Sequence, residues 1–270
     1  MTGLNAILIS VDYHGELSLT LPYNRHHFDR IMVVTSPADI KTQLICQAHN
    51  TEMYITDAFY RNGAMFNKWL ALEEGLDVFG RDGFICIMDA DILWPKKIDL
   101  ELKKGYLQTP RRRMWEDWPC IPYYKNDQPL PLHRPIGPIR NVPEIMWSIF
   151  PLHPQQHEWA GYSQIFHASD PVLDSIPWHL INYTSAGTAD SFFQAKWSPD
   201  KKIRPNFDVL HLGPAGTNWA GRVTNYIDGT TPPEAEKRRS SLNEMFAKRR
   251  GKLGMDRFKH EIINPPNHKD

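Results

Sequence analysis

The chain has 270 residues, 41% of them hydrophobic and 23% charged, with 31 Lys and Arg balanced by 31 Asp and Glu. That length fits one large domain or two small ones, and the composition excludes intrinsic disorder, collagen-like repeats and an overall basic coat. The start, Met1-Thr2-Gly3-Leu4-Asn5, lacks a basic leader, and no apolar run nears the roughly 20 residues that cross a bilayer. The expectation is a soluble chain without a membrane span, placed in the cytosol, or in a host's cytosol if the gene is viral. Cys46, Cys86 and Cys120 lie far apart, which suits reduced buried thiols better than a disulfide framework or a zinc site.

In chain order, Ala6–Asp12 and Arg30–Ser36 are short apolar runs of the kind a strand buried on both faces needs. Pro37 fits the first position of a helix through Ile40, Leu44, Ile45 and Ala48, and Glu52–Thr56 predicts a third strand. Met65, Phe66, Trp69, Leu70, Leu72 and Leu76 then recur at helical spacing. Gly83–Met88 predicts a strand running directly into Asp89-Ala90-Asp91. This alternation predicts an α/β fold with a Rossmann-like, mostly parallel sheet flanked by helices, its ligand site beyond the C-terminal strand ends.

From Pro110 to Pro154 the texture changes, with ten prolines in 45 residues, which disfavours helix and central strand and predicts an extended insertion over the sheet's edge. Seven of the nine tryptophans, Trp115, Trp118, Trp147, Trp159, Trp178, Trp197 and Trp219, fall in one stretch. Such rings either fill a core or stack on sugars and bases. Two stretches are basic: Lys96 to Arg113, with seven cations against Asp99 and Glu101, and Lys237 to Lys259, with nine against Glu244 and Asp256. Each is either a solvated face or a surface for an anionic partner. A polar helical segment is expected after Asp228, before the Asn264-Pro-Pro-Asn tail.

The strongest chemical signal is Asp89-Ala90-Asp91 at the end of its apolar strand, followed by Ile92-Leu93-Trp94-Pro95. Two carboxylates one residue apart raise each other's pKa unless a cation separates their charges. Hard oxygen ligands select Mg²⁺ or Mn²⁺, shared with substrate phosphates. The three glycines of Gly213–Gly221 allow close backbone approach, and Arg222 after them is placed to clamp a phosphate. Taken alone, Asp190 is equally a helix N-terminal charge, His211 a core histidine and Lys68 a solvent-facing helix residue.

With Ser10-Val-Asp12-Tyr13, Thr35-Ser-Pro-Ala-Asp39, Asn62-Gly-Ala-Met-Phe-Asn67-Lys68, Gly161-Tyr-Ser-Gln-Ile-Phe-His167, Ala189-Asp190-Ser-Phe-Phe and Asp208-Val-Leu-His211-Leu-Gly213 in the same order, the sequence resembles the GT-A family of nucleotide-sugar glycosyltransferases over residues 6–225. The resemblance implies a GT-A domain at 1–229, with a nucleotide-binding half at about 1–109, an inserted acceptor-binding half at about 110–229, and a basic helical tail at 230–270. It implies Mn²⁺ or Mg²⁺ bound by Asp91 and His211, with Asp89 at the ribose or the metal's water shell. Asp12 and Asp39 meet the nucleoside, Lys68 lies near the phosphates, and Asp190 is the general base of an inverting transfer. Many inverting members carry Glu-Asp at the base position, where this chain has Ala189-Asp190. The expected donor is a UDP-sugar, with UDP-glucose favoured.

The anchorless chain, its tryptophans and its basic stretches further resemble phage-type enzymes that glucosylate hydroxymethylated pyrimidines, making double-stranded DNA the favoured acceptor over a glycan or lipid-linked precursor. The remaining alternatives are a non-catalytic nucleotide-sugar binder and a haloacid-dehalogenase-type phosphatase. The latter normally carries its D-x-D near the chain start, with Thr or Val where this chain has Leu93.

Overall fold

The computed structural model describes residues 3–116, 118, 123–125, 128–130, 144–153, 159, 161–187, 189–214 and 216–253. The first half runs β1 (Leu4–Ile9), α1 (His14–Asn24), β2 (Arg30–Thr35), α2 (Ile40–Ala48), β3 (Glu52–Ile55), α3 (Lys68–Phe79) and β4 (Phe84–Asp89). It continues through β5 (Ile92–Leu93), β6 (Leu107–Gln108), β7 (Arg111–Trp115) and the hairpin of β8 (Tyr123–Lys125) and β9 (Gln128–Leu130). After these come β10 (Ser163–His167), α4 (Ala189–Gln194), β11 (Lys202–Ile203), β12 (Asp208–Leu212) and α5 (Ala235–Leu253).

Seven strands form one sheet in the order β11-β6-β10-β4-β1-β2-β3. Strands β3, β2, β1 and β4 are parallel, and β10 runs antiparallel to β4. Alternation along these strands sends Ile7, Val34, Ile85 and Ile87 to one core, with Trp69, Leu72 and Leu76 of α3. Leu8, Val33, Cys86 and Met88 face a second core, with Leu17 and Leu21 of α1. Helix α3 lies close on the sheet because residue 75 is glycine; a Cβ there would meet Val34 Cγ2 at 2.6 Å.

The chain places β2 and β3 on one side of β1 and β4 on the other, so a topological switch point falls between β1 and β4. A crevice outside the carboxyl ends of two such strands is where open α/β sheets bind ligands. Asp12 follows β1, Asp89 ends β4 and Asp91 follows it, at this point.

Several expectations are corrected. Helix α2 begins at Ile40 rather than Pro37, capped by Asp39, whose carboxylate accepts from Thr42 N at 3.2 Å. Its larger residues Ile40 and Leu44 are exposed, whereas Thr42 and Cys46 face inward. Thr42 lies 3.4 Å from Ser10, hydroxyl to hydroxyl, an approach that suits small residues. The proline-rich segment contains the β8–β9 hairpin and a longer strand in residues 111–118, the stretch between Pro110 and Pro119 that is free of proline. That strand, β7, forms a second sheet in the order β5-β12-β7. Four of the clustered tryptophans, Trp115, Trp147, Trp178 and Trp197, are core residues, while Trp118, Trp159 and Trp219 are half-buried. Cys46 and Cys86 are free and buried, and Cys120 lies outside the described residues. Among the described residues no helix is long and apolar enough to cross a membrane.

Candidate functional site

The pairing of β5 with β12 assembles the site. Their antiparallel register sets His211 opposite Ile92, and Leu212 N donates to the Asp91 carbonyl at 2.9 Å. The chain therefore returns, more than a hundred residues later, to place an imidazole beside the Asp89-Ala90-Asp91 turn. Helix α1 holds the same turn from below. Thr20 Oγ1 donates to the Ala90 carbonyl at 2.6 Å, and Asn24 both donates to the Ile92 carbonyl at 2.7 Å and accepts from Trp94 N at 2.9 Å.

Asp91 is buried, and its Oδ1 has no hydrogen-bond partner among the described residues. Burial, and then the neighbouring carboxylates of Asp89 and Glu16, push its pKa well above the ordinary carboxylate value. His211 Nε2 lies 3.8 Å from Asp91 Oδ2, too far for a hydrogen bond. His211 Nδ1 is 3.0 Å from the Gly213 carbonyl, to which it donates, so Nε2 carries a lone pair toward Asp91. Burial and then Arg112 lower the His211 pKa to about 4. An unpartnered buried carboxylate oxygen beside an imidazole lone pair is a donor set that fits a divalent cation. Among the described residues no three His, Cys, Asp or Glu side chains converge, so these residues cover only part of a cation's coordination. That matches ions that complete their shells with water and substrate phosphate.

Lys68, the first residue of α3, places Nζ 2.6 Å from Asp89 Oδ1. Burial opposes its charge, but Asp89 first, then Asp190 and Asp91, hold its pKa above the ordinary lysine value. The ammonium thus bonds Asp89 and lies within the electrostatic reach of Asp190 and Asp91. Asp190 lies in the first turn of α4, with Oδ2 accepting from Gly161 N and Oδ1 from Ser191 N, each at 2.9 Å. Each oxygen retains a second lone pair for a proton. Residue 161 is glycine for want of space, since a Cβ there would meet Asp190 Cβ at 2.9 Å and Trp69 Cη2 at 3.2 Å.

The remaining sequence-selected residues have partners inside the protein. Asp39 accepts from Asp12 N at 2.7 Å besides capping α2. Asp12 sits at φ +63°, and its carboxylate pairs with Arg238 of α5 at 2.5 Å. Arg222 is buried, and all five of its N–H groups are engaged: by both Glu16 oxygens at 2.7 and 2.8 Å and by the carbonyls of Asp12, Thr224 and Asn225. It braces the loop after β12 against α1, which leaves no donor for the phosphate expected from sequence. Arg222→Ala is accordingly expected to destabilise the fold by about 3–5 kcal/mol, since Glu16 would stay buried without its counter-charge. Urea unfolding measures this, and a loss below about 1 kcal/mol, the range of an exposed pair, refutes it.

Glu16, Thr20, Asn24 and Arg238 carry no sequence signal of their own, because ordinary helical positions acquire these roles only through tertiary contact. The basic stretches are also partly neutralised. Arg111 and Arg113, on one face of β7, both bind Asp208, at 2.8 and 2.9 Å. Arg239 donates to the Val223 carbonyl and pairs with Glu236. The side chains of Arg249 and Arg250, and all of Arg257 and Lys259, lie outside the described residues.

No protein-family model matches the sequence, and no curated protein does. Solved structures overlap it in part. Mannosyl-3-phosphoglycerate synthase from Rubrobacter xylanophilus is 19% identical with a TM-score of 0.30, over 42% of this chain and 41% of that one. Glucosyl-3-phosphoglycerate synthase from Mycobacterium tuberculosis, in complex with Mn²⁺, uridine diphosphate and glucosyl-3-phosphoglycerate, is 16% identical with a TM-score of 0.30, over 41% and 44%. The chain spans less than half the length of either structure. Overlaps of this extent and identity assign it to no family.

Proposed function

We propose that the chain is a metal-dependent, inverting glycosyltransferase of GT-A type that moves a hexose from a nucleoside-diphosphate sugar, with UDP-glucose favoured, to an acceptor hydroxyl. The observation that carries this reading is the buried Asp91 carboxylate, its Oδ1 without a hydrogen-bond partner among the described residues and its Oδ2 3.8 Å from His211 Nε2, at the β1–β4 switch point. Asp91 and His211 would hold Mn²⁺ or Mg²⁺, with Asp89 at its water shell or at the ribose. The ion, when bound, supplies Lewis-acid stabilisation to the negative charge of the departing diphosphate. Lys68 adds a fixed positive charge beside Asp89, near the phosphates. Asp190, held by Gly161 and Ser191, takes the proton of the acceptor hydroxyl. Asp12 and Asp39 shape the nucleoside end through the peptide they fix between β1 and α2.

For the acceptor, a 5-hydroxymethylpyrimidine in double-stranded DNA is favoured over a glycan or lipid-linked precursor. The support is α5, which exposes Lys237 and Lys248 and reaches Asp12 through Arg238. The test is label transfer from UDP-glucose, with and without Mn²⁺, to a panel of hydroxymethyluracil DNA, hydroxymethylcytosine DNA and glycan acceptors. The DNA reading expects Mn²⁺-dependent labelling of modified duplexes, with duplex affinity falling steeply as salt rises. Labelling of a glycan alone would return that acceptor to first place. A protein that binds UDP-glucose but never releases UDP is a binder, and one that hydrolyses simple phosphate esters but ignores UDP-glucose is a phosphatase.

A further inference from the structure

We propose that His179 is a positioning residue that sets the carboxylate of Asp190, an inference that rests on the transfer reading above. The His179 ring is buried and stacks at 19° on Trp69, centroids 4.9 Å apart, and at 19° on Phe193, centroids 4.1 Å apart. Trp69 and Phe193 belong to the two helices that present the site. Trp69 follows Lys68, whose ammonium holds Asp89, and Phe193 lies one turn beyond Asp190 on α4. The column Trp69–His179–Phe193 is therefore a spacer between α3 and α4.

The spacer is itself fixed by a buried carboxylate. Glu73, one turn beyond Trp69 on α3, accepts from His179 Nδ1 at 2.5 Å and from His179 N at 3.0 Å. It also accepts from Trp178 N at 3.1 Å and from Arg81 Nη2 at 2.8 Å. A ring donating through Nδ1 satisfies Glu73 while its flat faces fill the gap between two aromatic neighbours. Phenylalanine supplies only the second property and asparagine only the first.

The width of that gap matters at the far edge of Trp69. Trp69 Cη2 and Asp190 Cβ close on the same point, the space over Gly161, at 3.2 and 2.9 Å from where a Cβ would stand. The bond from Gly161 N to Asp190 Oδ2, 2.9 Å long, is made at this same point, where the edge of Trp69 on α3 and the start of α4 meet. Removing the middle ring lets α4 settle toward α3 and turns the carboxylate away from Gly161. A misplacement of about 1 Å at a catalytic group costs up to about 100-fold in rate.

The test compares His179→Ala, His179→Phe and His179→Asn in the full chain, by UDP release from UDP-glucose with Mn²⁺ and by hydrogen exchange at the Gly161 amide. His179→Ala is expected to lower kcat by about 10- to 100-fold. KM for UDP-glucose and the half-saturating Mn²⁺ should stay within about twofold, because Asp91 lies between β4 and β5 and His211 on β12, both off the column, and Lys68 keeps its place at the start of α3. The Gly161 amide should exchange faster in this variant. His179→Phe should restore rate and protection, and His179→Asn should not. In an Asp190→Asn background, His179→Ala should add no further loss, as expected of residues acting through one group. Rescue by Asn instead of Phe, additive losses, or a parallel loss of Mn²⁺ affinity would overturn the proposal; if His179→Ala fails to fold, the Phe and Asn variants decide. Absence of any UDP release by the unaltered chain counts against the transfer reading alone, and the Gly161 exchange rates still judge His179.

Discussion

Asp91→Ala is expected to abolish both transfer and UDP release. In the folded chain Asp91 Oδ1 is buried with no hydrogen-bond partner among the described residues, while Asp89 Oδ1 already holds Lys68. Asp91 is therefore the carboxylate left with an oxygen to offer a cation, and an unshielded diphosphate is a poor leaving group. Burial and the Asp89 charge hold the Asp91 proton on to higher pH than usual, so Mn²⁺ has to displace it. The half-saturating Mn²⁺ concentration of the unaltered protein should fall as pH rises through that raised pKa. The sign for stability is the opposite. A carboxyl whose folded pKa exceeds its unfolded value stabilises the fold fully below the unfolded pKa and loses that contribution as pH rises through the folded one. Without metal, the unaltered chain should lose stability relative to Asp91→Ala over that window, and Mn²⁺ should restore it. His211→Ala should act more mildly, raising the metal concentration needed for half-activity. Full turnover of Asp91→Ala in excess EDTA would sink the metal assignment.

What the sequence could and could not disclose follows from the range of the interactions involved. Apolar runs placed β2, β3 and β4 within a residue, while the end of β1 and the start of α3 each differ by three, at Ile9 rather than Asp12 and at Lys68 rather than Met65; burial on both faces makes inner strands such as β2 and β4 legible locally. The Asp89-Ala90-Asp91 turn was legible because its chemistry conflicts with an apolar strand end. Helix α1 was not legible: Pro22 inside it argues locally against a helix, and its purpose, holding the Ala90 and Ile92 carbonyls through Thr20 and Asn24, exists only across some seventy residues. Arg222 shows the same limit from the other side. An arginine after a glycine-rich loop suggests a phosphate clamp, yet the Glu16 that claims it lies 206 residues away. The basic stretches read in sequence as solvated face or anionic-partner surface, whereas Asp208 and Asp12 claim Arg111, Arg113 and Arg238 from distant strands and helices. The tryptophans were ambiguous because an aromatic ring that fills a core and one that stacks on a ligand have the same local signature.

Asp190→Asn is expected to lower transfer by about 10²- to 10⁴-fold while donor binding stays nearly intact, the range general-base catalysis contributes. The two roles open to Asp190 make opposite forecasts. As a helix N-terminal charge it would matter to folding, and its loss would cost about 1 kcal/mol or less of stability with no selective effect on rate. As a base it must accept a proton, which the amide of asparagine cannot do. The substitution is nearly isosteric but leaves one of the Gly161 and Ser191 N–H groups facing an NH₂, an expected cost of about 1–3 kcal/mol if the group stays buried. Rates should therefore be taken well below the unfolding transition, and UDP-glucose affinity measured by calorimetry on the same sample. Transfer that survives while donor affinity falls would make Asp190 a structural cap. The stereochemistry provides an independent check, because a base that activates the acceptor for direct displacement forces inversion at the anomeric carbon. A product of retained configuration by NMR would require a different nucleophile, and Asp190, already bound by Gly161 N and Ser191 N, would lose its assigned role even if its substitution were silent toward folding.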